Sequence, residues 1–153
     1  MSVAALFVWS VFYGPADGSS RSNPEYYGWT GNVGGGWKLR ISHASDVSRN
    51  GRSLVVAQVK LSRTAATSGL VRGVLSRTTL RGSDRVLRGA VGCGGLDPSP
   101  IVPTERIRSG ARVSGAICFS VPSGHLSDAF VRVSRPPARP VWFAFQDEPA
   151  DPG

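Results

Sequence analysis

The sequence places an apolar residue at every second position in three separate stretches, residues 37–41, 53–61 and 112–121. A period of two is the spacing of side chains on one face of a β-strand, because successive side chains point to opposite sides. The alternation therefore predicts three strands with one face in a core. The residues that share the predicted buried faces of the second and third stretches are Val55, Ala57, Val59 and Leu61, then Val113, Gly115, Ile117, Phe119 and Val121.

Turn signals divide the rest of the chain into further short segments. Asn50-Gly51 is a strong hairpin signal. Residues 92–103 are rich in Gly and Pro, which excludes a regular helix there. About seven or eight short strands with turn signals every 8–12 residues or so predict an all-β, immunoglobulin-like antiparallel β-sandwich, and a small OB-like barrel is the alternative. The other strands are predicted at residues 70–75, 77–80, 85–91, 126–133 and 141–145.

An apolar run at residues 3–13 precedes these strands and is interrupted only by Ser10. It is shorter than the roughly 20 residues that a membrane-spanning helix needs, and it lacks the positively charged start of a signal peptide. Its aromatic end resembles the belt of residues found where helices leave a membrane. We therefore expect residues 1–15 to be a partial signal-anchor or signal-peptide-like segment that associates with the membrane, with a first core strand as the alternative.

The next segment, residues 16–36, is rich in Gly, Ser, Asn and Pro and ends in three consecutive glycines, so a linker is predicted there. The aromatic residues Tyr26, Tyr27 and Trp29 are unusual in a linker and indicate contacts that attach it to the domain. The sandwich domain is then predicted at residues 37–146, followed by a disordered tail at residues 147–153.

Cys93 and Cys118 are the two cysteines of the chain. A zinc site needs three or four ligands, and His43 and His125 stand at no metal-ligand spacing from the cysteines. The Cys-x-x-Cys pattern of a redox pair does not occur. These residues leave two interpretations, one structural disulfide in an exported domain or two buried free thiols in a cytosolic one.

The chain carries a formal net charge of +8 and has a sequence pI of about 10.7. Such a charge is typical of nucleic-acid-binding proteins. The arginines are nevertheless spread almost evenly, and no basic run alternates with aromatic residues that could stack on bases. We therefore expect a generally basic surface with weak attraction to anionic surfaces, and no specific binding of nucleic acid.

No combination of residues in the sequence has the pattern of a catalytic site. The nucleophile motif Gly-x-Ser-x-Gly does not occur, and His125 and His43 are predicted in exposed positions at strand ends. Calcium binding and glycoside hydrolysis both require grouped carboxylates, whereas the acidic residues of the domain are dispersed. The prediction is a protein that is not an enzyme, with no catalytic residues, cofactor or metal. The dispersed acidic residues are Asp46, Asp84, Asp97, Glu105 and Asp128.

Four further residues carry local structural predictions. Trp37 and Trp142 are interpreted as core aromatics, with aromatic surfaces that stack on a ligand as the alternative. Gly110 and Gly115 flank the start of a predicted strand, where glycine marks a turn and a close approach of two backbones.

The run from Gly110 to Pro122 (GARVSGAICFSVP), preceded by Cys93-Gly94 and followed by Trp142 to Phe145, resembles a bacterial immunoglobulin-like family. Its members are mostly secreted or membrane-anchored actinobacterial proteins of unknown function, and it is related in fold to a mycobacterial immunoprotective secreted antigen. The resemblance covers about residues 36–145 and implies a two-sheet sandwich, a Cys93–Cys118 disulfide and no known catalytic residues. Where the family has an Asp-Gly turn, this chain has Gly82-Ser-Asp-Arg.

Together these features predict an extracytoplasmic, membrane-tethered or secreted module with a non-catalytic interaction or structural role. Its partner would be an unknown protein or another cell-envelope component. Loops on a rigid scaffold carry binding more often than strand faces do, so recognition is expected at residues 92–103 or 122–127. A cytosolic basic β-barrel that binds nucleic acid is the alternative.

Overall fold

The alternating stretches form the three longest strands of a computed structural model, which describes residues 18–49, 52–82, 84–94, 99–121 and 129–149. None of these residues belongs to a helix that is long and apolar enough to cross a membrane. In chain order the elements are β1 (Thr30–Gly34), β2 (Trp37–Arg49), β3 (Arg52–Arg63), β4 (Gly69–Leu70), the short helix α1 (Arg72–Leu75), β5 (Thr78–Arg81), β6 (Leu87–Gly89), β7 (Arg106–Ile107), β8 (Arg112–Val121), β9 (Phe130–Val133) and β10 (Val141–Ala144).

The strands form two four-stranded sheets and one small pair. The first sheet has the order β1-β2-β3-β8, the second has the order β10-β9-β5-β6, and β4 pairs with β7. Every pairing between these strands is antiparallel. The predicted all-β sandwich is confirmed. Neither sheet closes on itself within the described residues, so the OB-like barrel alternative is wrong.

The core lies between the two sheets, and the predicted alternating residues supply most of the part that the first sheet contributes. Removing these side chains from water is the main favourable contribution to folding. Trp37 is 2% exposed and belongs to this core, as predicted. The first sheet contributes Leu39, Ile41, Val55, Val59, Leu61, Ile117 and Phe119, and the second contributes Leu80, Val131, Val133 and Phe143.

The prediction of a strand over residues 70–75 was wrong, because the chain turns into α1 after β4. Val71 and Val74 are both buried in the core. Side chains three residues apart point to the same side of a helix but to opposite sides of a strand, so a helical turn buries both valines. The Thr78 hydroxyl donates a hydrogen bond of 2.8 Å to the Val74 carbonyl and secures the exit from the turn.

The predicted linker over residues 16–36 was also wrong for the part that the structure describes. Thr30–Gly34 is β1, which pairs with β2 at the border of the first sheet. The three glycines form the turn between these strands with φ values of 84°, 62° and 83°. These backbone angles are strained for any other residue type. The glycine run that resembled a flexible linker is therefore a tight hairpin turn.

Residues 18–27 are bound to the outer edge of β10. The Trp142 N–H donates to the Gly18 carbonyl at 2.8 Å, and the Ala144 N–H donates to the Glu25 carbonyl at 2.9 Å. The Tyr27 hydroxyl accepts a bond of 3.1 Å from the Ala44 N–H, and burial raises the pKa of Tyr27. The predicted aromatic attachment is confirmed for Tyr27.

The expected membrane segment, residues 1–15, lies outside the described residues, and the predicted tail is described only to residue 149.

Arg63, at the end of β3, connects two loops and Trp37 of β2 at one end of the sandwich. Its Nε donates to the Thr67 carbonyl at 2.9 Å, and its Nη1 donates to the Gly35 carbonyl at 2.8 Å. Its guanidinium carbon lies 4.6 Å from the centre of the Trp37 ring. Arg63 is only 8% exposed, so these carbonyls and the ring replace water around its charge.

We expect Arg63→Met to lower the free energy of unfolding by about 2 kcal/mol, because the Thr67 and Gly35 carbonyls lose a charged donor while the aliphatic volume is kept. Equilibrium urea unfolding measures the change. Arg108→Met is the matched control at an exposed position, and it should stay within about 0.5 kcal/mol of the parent. Equal effects of the two variants would contradict the role of Arg63.

Candidate binding site at the disulfide-closed edge

The outer edge of β8 is paired with two pieces of the Gly- and Pro-rich loop. We call these residues, 91–94 and 99–101, the edge segments. The Val91 N–H donates to the Cys118 carbonyl at 2.8 Å, and the Ile101 N–H donates to the Ala116 carbonyl at 2.9 Å. The Ala116 N–H in turn donates to the Ser99 carbonyl at 3.0 Å. An open strand edge is prone to pair with other chains, so the edge segments protect β8.

Gly115 permits this pairing because it has no side chain. A Cβ atom at this position would lie 2.5 Å from the Ser99 carbonyl oxygen and 3.2 Å from the Ile101 nitrogen. The predicted close approach of two backbones at Gly115 is confirmed. Gly110 has a φ of 77° at the turn before β8, which confirms the other glycine prediction.

A disulfide between Cys93 and Cys118 fixes the first edge segment to β8. The two Cα atoms are 5.3 Å apart, and the bond spans a sequence separation of 25 residues. Closing a loop of that size restricts the unfolded chain by about 3 kcal/mol. Both cysteines are buried, and they form a small apolar cluster with Val56 and Ala116, separate from the main core. The disulfide implied by the family resemblance is therefore present.

A cavity of about 320 Å³ opens beside the disulfide, between the edge segments, β8 and α1. Its lining is mostly apolar, and the exposed Arg72 and Ser76 are its polar residues. Val91 and Val102 are 45% and 48% exposed, respectively, at or next to the cavity wall. Apolar pockets with a few polar groups are the usual form of a ligand site. The main apolar lining residues are Leu75, Ala90, Pro100, Ile101, Pro103, Ala116 and Ile117.

Sequence reasoning located only one wall of this cavity. The predicted recognition loop, residues 92–103, supplies the edge segments, whereas the other predicted loop, residues 122–127, lies outside the described residues. Arg72 and Ser76 were missed because Arg72 begins, and Ser76 follows, a helix in a stretch that was predicted to be a strand. The spacing of Val71 and Val74 was the signal that could have indicated this helix.

The residues considered for chemistry are dispersed in the structure. His43 is exposed, with its ring centre 5.9 Å from that of Tyr27. Asp84 is exposed and forms an ion pair with Arg88. In the part of the chain that the structure describes, no three His, Cys, Asp or Glu side chains are close enough to share a metal ion. Asp46 and Glu105 are exposed, and His125, Asp97 and Asp128 lie outside the described residues.

The fold and the closed edge define the chain as a two-sheet antiparallel sandwich with a disulfide at the border of one sheet. Solved structures share this fold. The yjhA protein of Bacillus subtilis is 14% identical with a TM-score of 0.55, and the match covers 71% of this chain and 79% of that one. The secreted protein MPT63 of Mycobacterium tuberculosis is 13% identical with a TM-score of 0.51, covering 73% of this chain and 82% of that one.

A putative lipoprotein (ycdA) of Bacillus subtilis is also similar, at 13% identity and a TM-score of 0.54. The match covers 70% of this chain but 35% of the lipoprotein, so this chain corresponds to about a third of that protein. No protein-family model and no curated protein sequence matches the chain. The likeness to the mycobacterial secreted protein supports the resemblance at the level of fold, and membership of a family stays a prediction.

We expect Gly115→Ala to lower the free energy of unfolding by about 1–3 kcal/mol, because the added methyl group forces the Ser99 backbone away from β8. Thermal and urea unfolding measure the change. Gly89→Ala on β6 is the matched control, since no atom lies within 4 Å of the Cβ it would add. A Gly115→Ala variant as stable as the parent would contradict the close packing of the edge segments.

Proposed function

We propose that the chain is an extracytoplasmic, non-catalytic recognition module that binds a cell-envelope partner at the cavity beside the Cys93–Cys118 disulfide. The disulfide is the observation that carries this proposal. Structural disulfides form and persist in oxidising compartments and are rare in the cytosol. The same bond holds one wall of the cavity in place, so the compartment and the binding site depend on one covalent link.

The lining of the cavity supports binding in preference to catalysis. A chemical step on a substrate would need a nucleophile and a base within hydrogen-bond reach of each other. Ser76 is the hydroxyl-bearing residue among the described lining residues, and none of these is His, Asp or Glu. Arg72 can orient a partner through charge, while Leu75, Ile101 and Ile117 provide apolar contact.

We also propose that residues 1–15 tether the domain to the membrane or direct its export. The apolar run at residues 3–13 and its aromatic end support this assignment. The likeness in fold to a secreted protein and to a lipoprotein agrees with a place outside the cytoplasm.

Protein isolated from its native cells and alkylated without reductant should yield Cys93 and Cys118 as one disulfide-linked pair of peptides. Mass spectrometry of the digest checks this, and a reduced aliquot that yields two separately alkylated peptides is the control. Two free thiols in the unreduced sample would contradict the proposed compartment. The same digest identifies the N-terminal peptide. If residues 1–15 tether the domain, protein from the membrane fraction should yield peptides that contain them.

A further inference from the structure

The outer face of the second sheet carries aromatic and cationic side chains in adjacent positions. Thr78, Leu80, Val131 and Val133 point into the core, so the residues between them point outward. The strand register pairs Arg81 with Phe130, and it pairs Arg132 with both Thr79 and Trp142. Directly paired residues of antiparallel strands lie on the same face. Trp142, which was interpreted as a core aromatic, therefore lies half-buried on this outer face.

The side chains of this face pack against one another in a fixed arrangement. The rings of Phe130 and Trp142 are 6.4 Å apart at an interplanar angle of 83°, an edge-to-face contact. The Arg132 guanidinium carbon lies 5.7 Å from the centre of a Trp142 ring. Stacking against the indole orients the guanidinium while leaving its N–H edge available for a planar anion.

A shallow depression extends from the two aromatic rings to the chain segment along β10. It is bordered by Phe130, Trp142 and the hydroxyl-rich run of residues 19–22. The hydroxyl oxygens of Ser20 and Ser22 are 2.9 Å apart. Arg21, in the same run, adds a cation to the border of the depression.

Several positive charges lie close together on and around this face. Burial lowers the pKa of Arg81, and the neighbouring charges of Arg21 and Arg85 lower it further. Arg88 of β6 forms an ion pair with Asp84. An anionic ligand at this face would relieve the repulsion that Arg81 experiences from Arg21 and Arg85.

We propose that this face, which we call the cationic–aromatic face, binds a carboxylate-bearing polysaccharide. Arg81 and Arg132 would pair with carboxylates spaced along the polymer, because a guanidinium presents a fork that matches a carboxylate. The edges of Phe130 and Trp142 would contact sugar rings, and the serines of residues 19–22 would bond to sugar hydroxyls. The proposal goes beyond the function assigned to the cavity, which lies at the border of the other sheet.

The geometry favours a saccharide over a nucleic acid. Bases bind single-strand-binding proteins by stacking on an open aromatic face, but Arg132 already lies over the Trp142 ring. A single phosphate is best held by donors that converge on one point. Arg81 and Arg132 instead occupy diagonal positions on neighbouring strands, which suits charges repeated along a polymer.

Binding of polygalacturonate to the full chain at physiological ionic strength tests the proposal, measured by calorimetry. Arg132→Gln and Arg81→Gln should each weaken binding by about tenfold, the effect of losing roughly 1.4 kcal/mol of interaction. Arg112→Gln removes the same charge from an exposed position on β8 of the first sheet and should leave the affinity within about twofold. In NMR spectra the indole N–H signal of Trp142 should shift on titration.

Neutral dextran, polyglutamate, poly(glycerol phosphate) and single-stranded DNA are the comparison polymers, and each should bind at least tenfold more weakly than polygalacturonate. If polyglutamate or DNA binds as tightly as polygalacturonate, net charge alone explains the binding and the proposal is overturned. Tighter binding of poly(glycerol phosphate) would overturn the assignment of a carboxylate. The proposal would also be overturned if Arg112→Gln and Arg132→Gln lose the same affinity, or if polygalacturonate does not bind. Unfolding curves like that of the parent establish that the variants are folded. These outcomes leave the cavity proposal untouched.

Discussion

Pairing of the backbone groups at the sheet borders is the constraint on which the rest of this structure depends. The first sheet has β8 at one border and the second has β10 at one border, and unpaired N–H and C=O groups at such borders invite pairing with other chains. Residues 18–27 form hydrogen bonds with backbone groups of β10, and the edge segments form them with backbone groups of β8. The Cys93–Cys118 bond makes the second of these closures covalent. The cavity exists because the edge segments stand beside β8 and α1.

The long strands could be predicted because their information is local. In β3 and β8 alternate side chains enter the main core, and the paired register keeps them on one face. Val56, Ala116 and Cys118 on the other face are buried as well, in the cluster around the disulfide. Residues 18–27 and β1 could not be predicted in this way. They bind through backbone groups, which any sequence possesses, and their Gly and Ser content is also the composition of a linker. Helix α1 was hidden because a four-residue turn is too short to establish a period.

The candidate sites also contain some residues that local sequence patterns predict and others that only the folded structure brings together. Cys93 and Cys118 were recognised because the chain has two cysteines, and one wall of the cavity followed from its Gly and Pro content. Arg72 reaches the cavity only through the turn of α1. The cationic–aromatic face arises from the register of β5, β9 and β10, which brings together residues about 50 to 60 positions apart in the sequence. An even distribution of arginines along the chain therefore does not imply an even distribution in space.

The two sheets carry different surfaces as a result. Beside the first sheet, the disulfide cluster and the edge segments form an apolar concave region with one cation at its rim. On the second sheet, arginines and two aromatic rings lie together on the outer face. A net charge of +8 disfavours self-association through repulsion.

Hydrogen exchange in the oxidised and reduced protein tests the central claim, that the disulfide holds the edge segments against β8. On reduction, the amides of Val91 and Ile101 should lose protection by at least about tenfold, because the covalent link that favours their pairing is gone. The amides of Trp142 and Ala144 form their hydrogen bonds at the β10 border of the second sheet, and they should keep their protection. Unchanged protection at Val91 and Ile101, or equal loss at all four amides, would contradict the account.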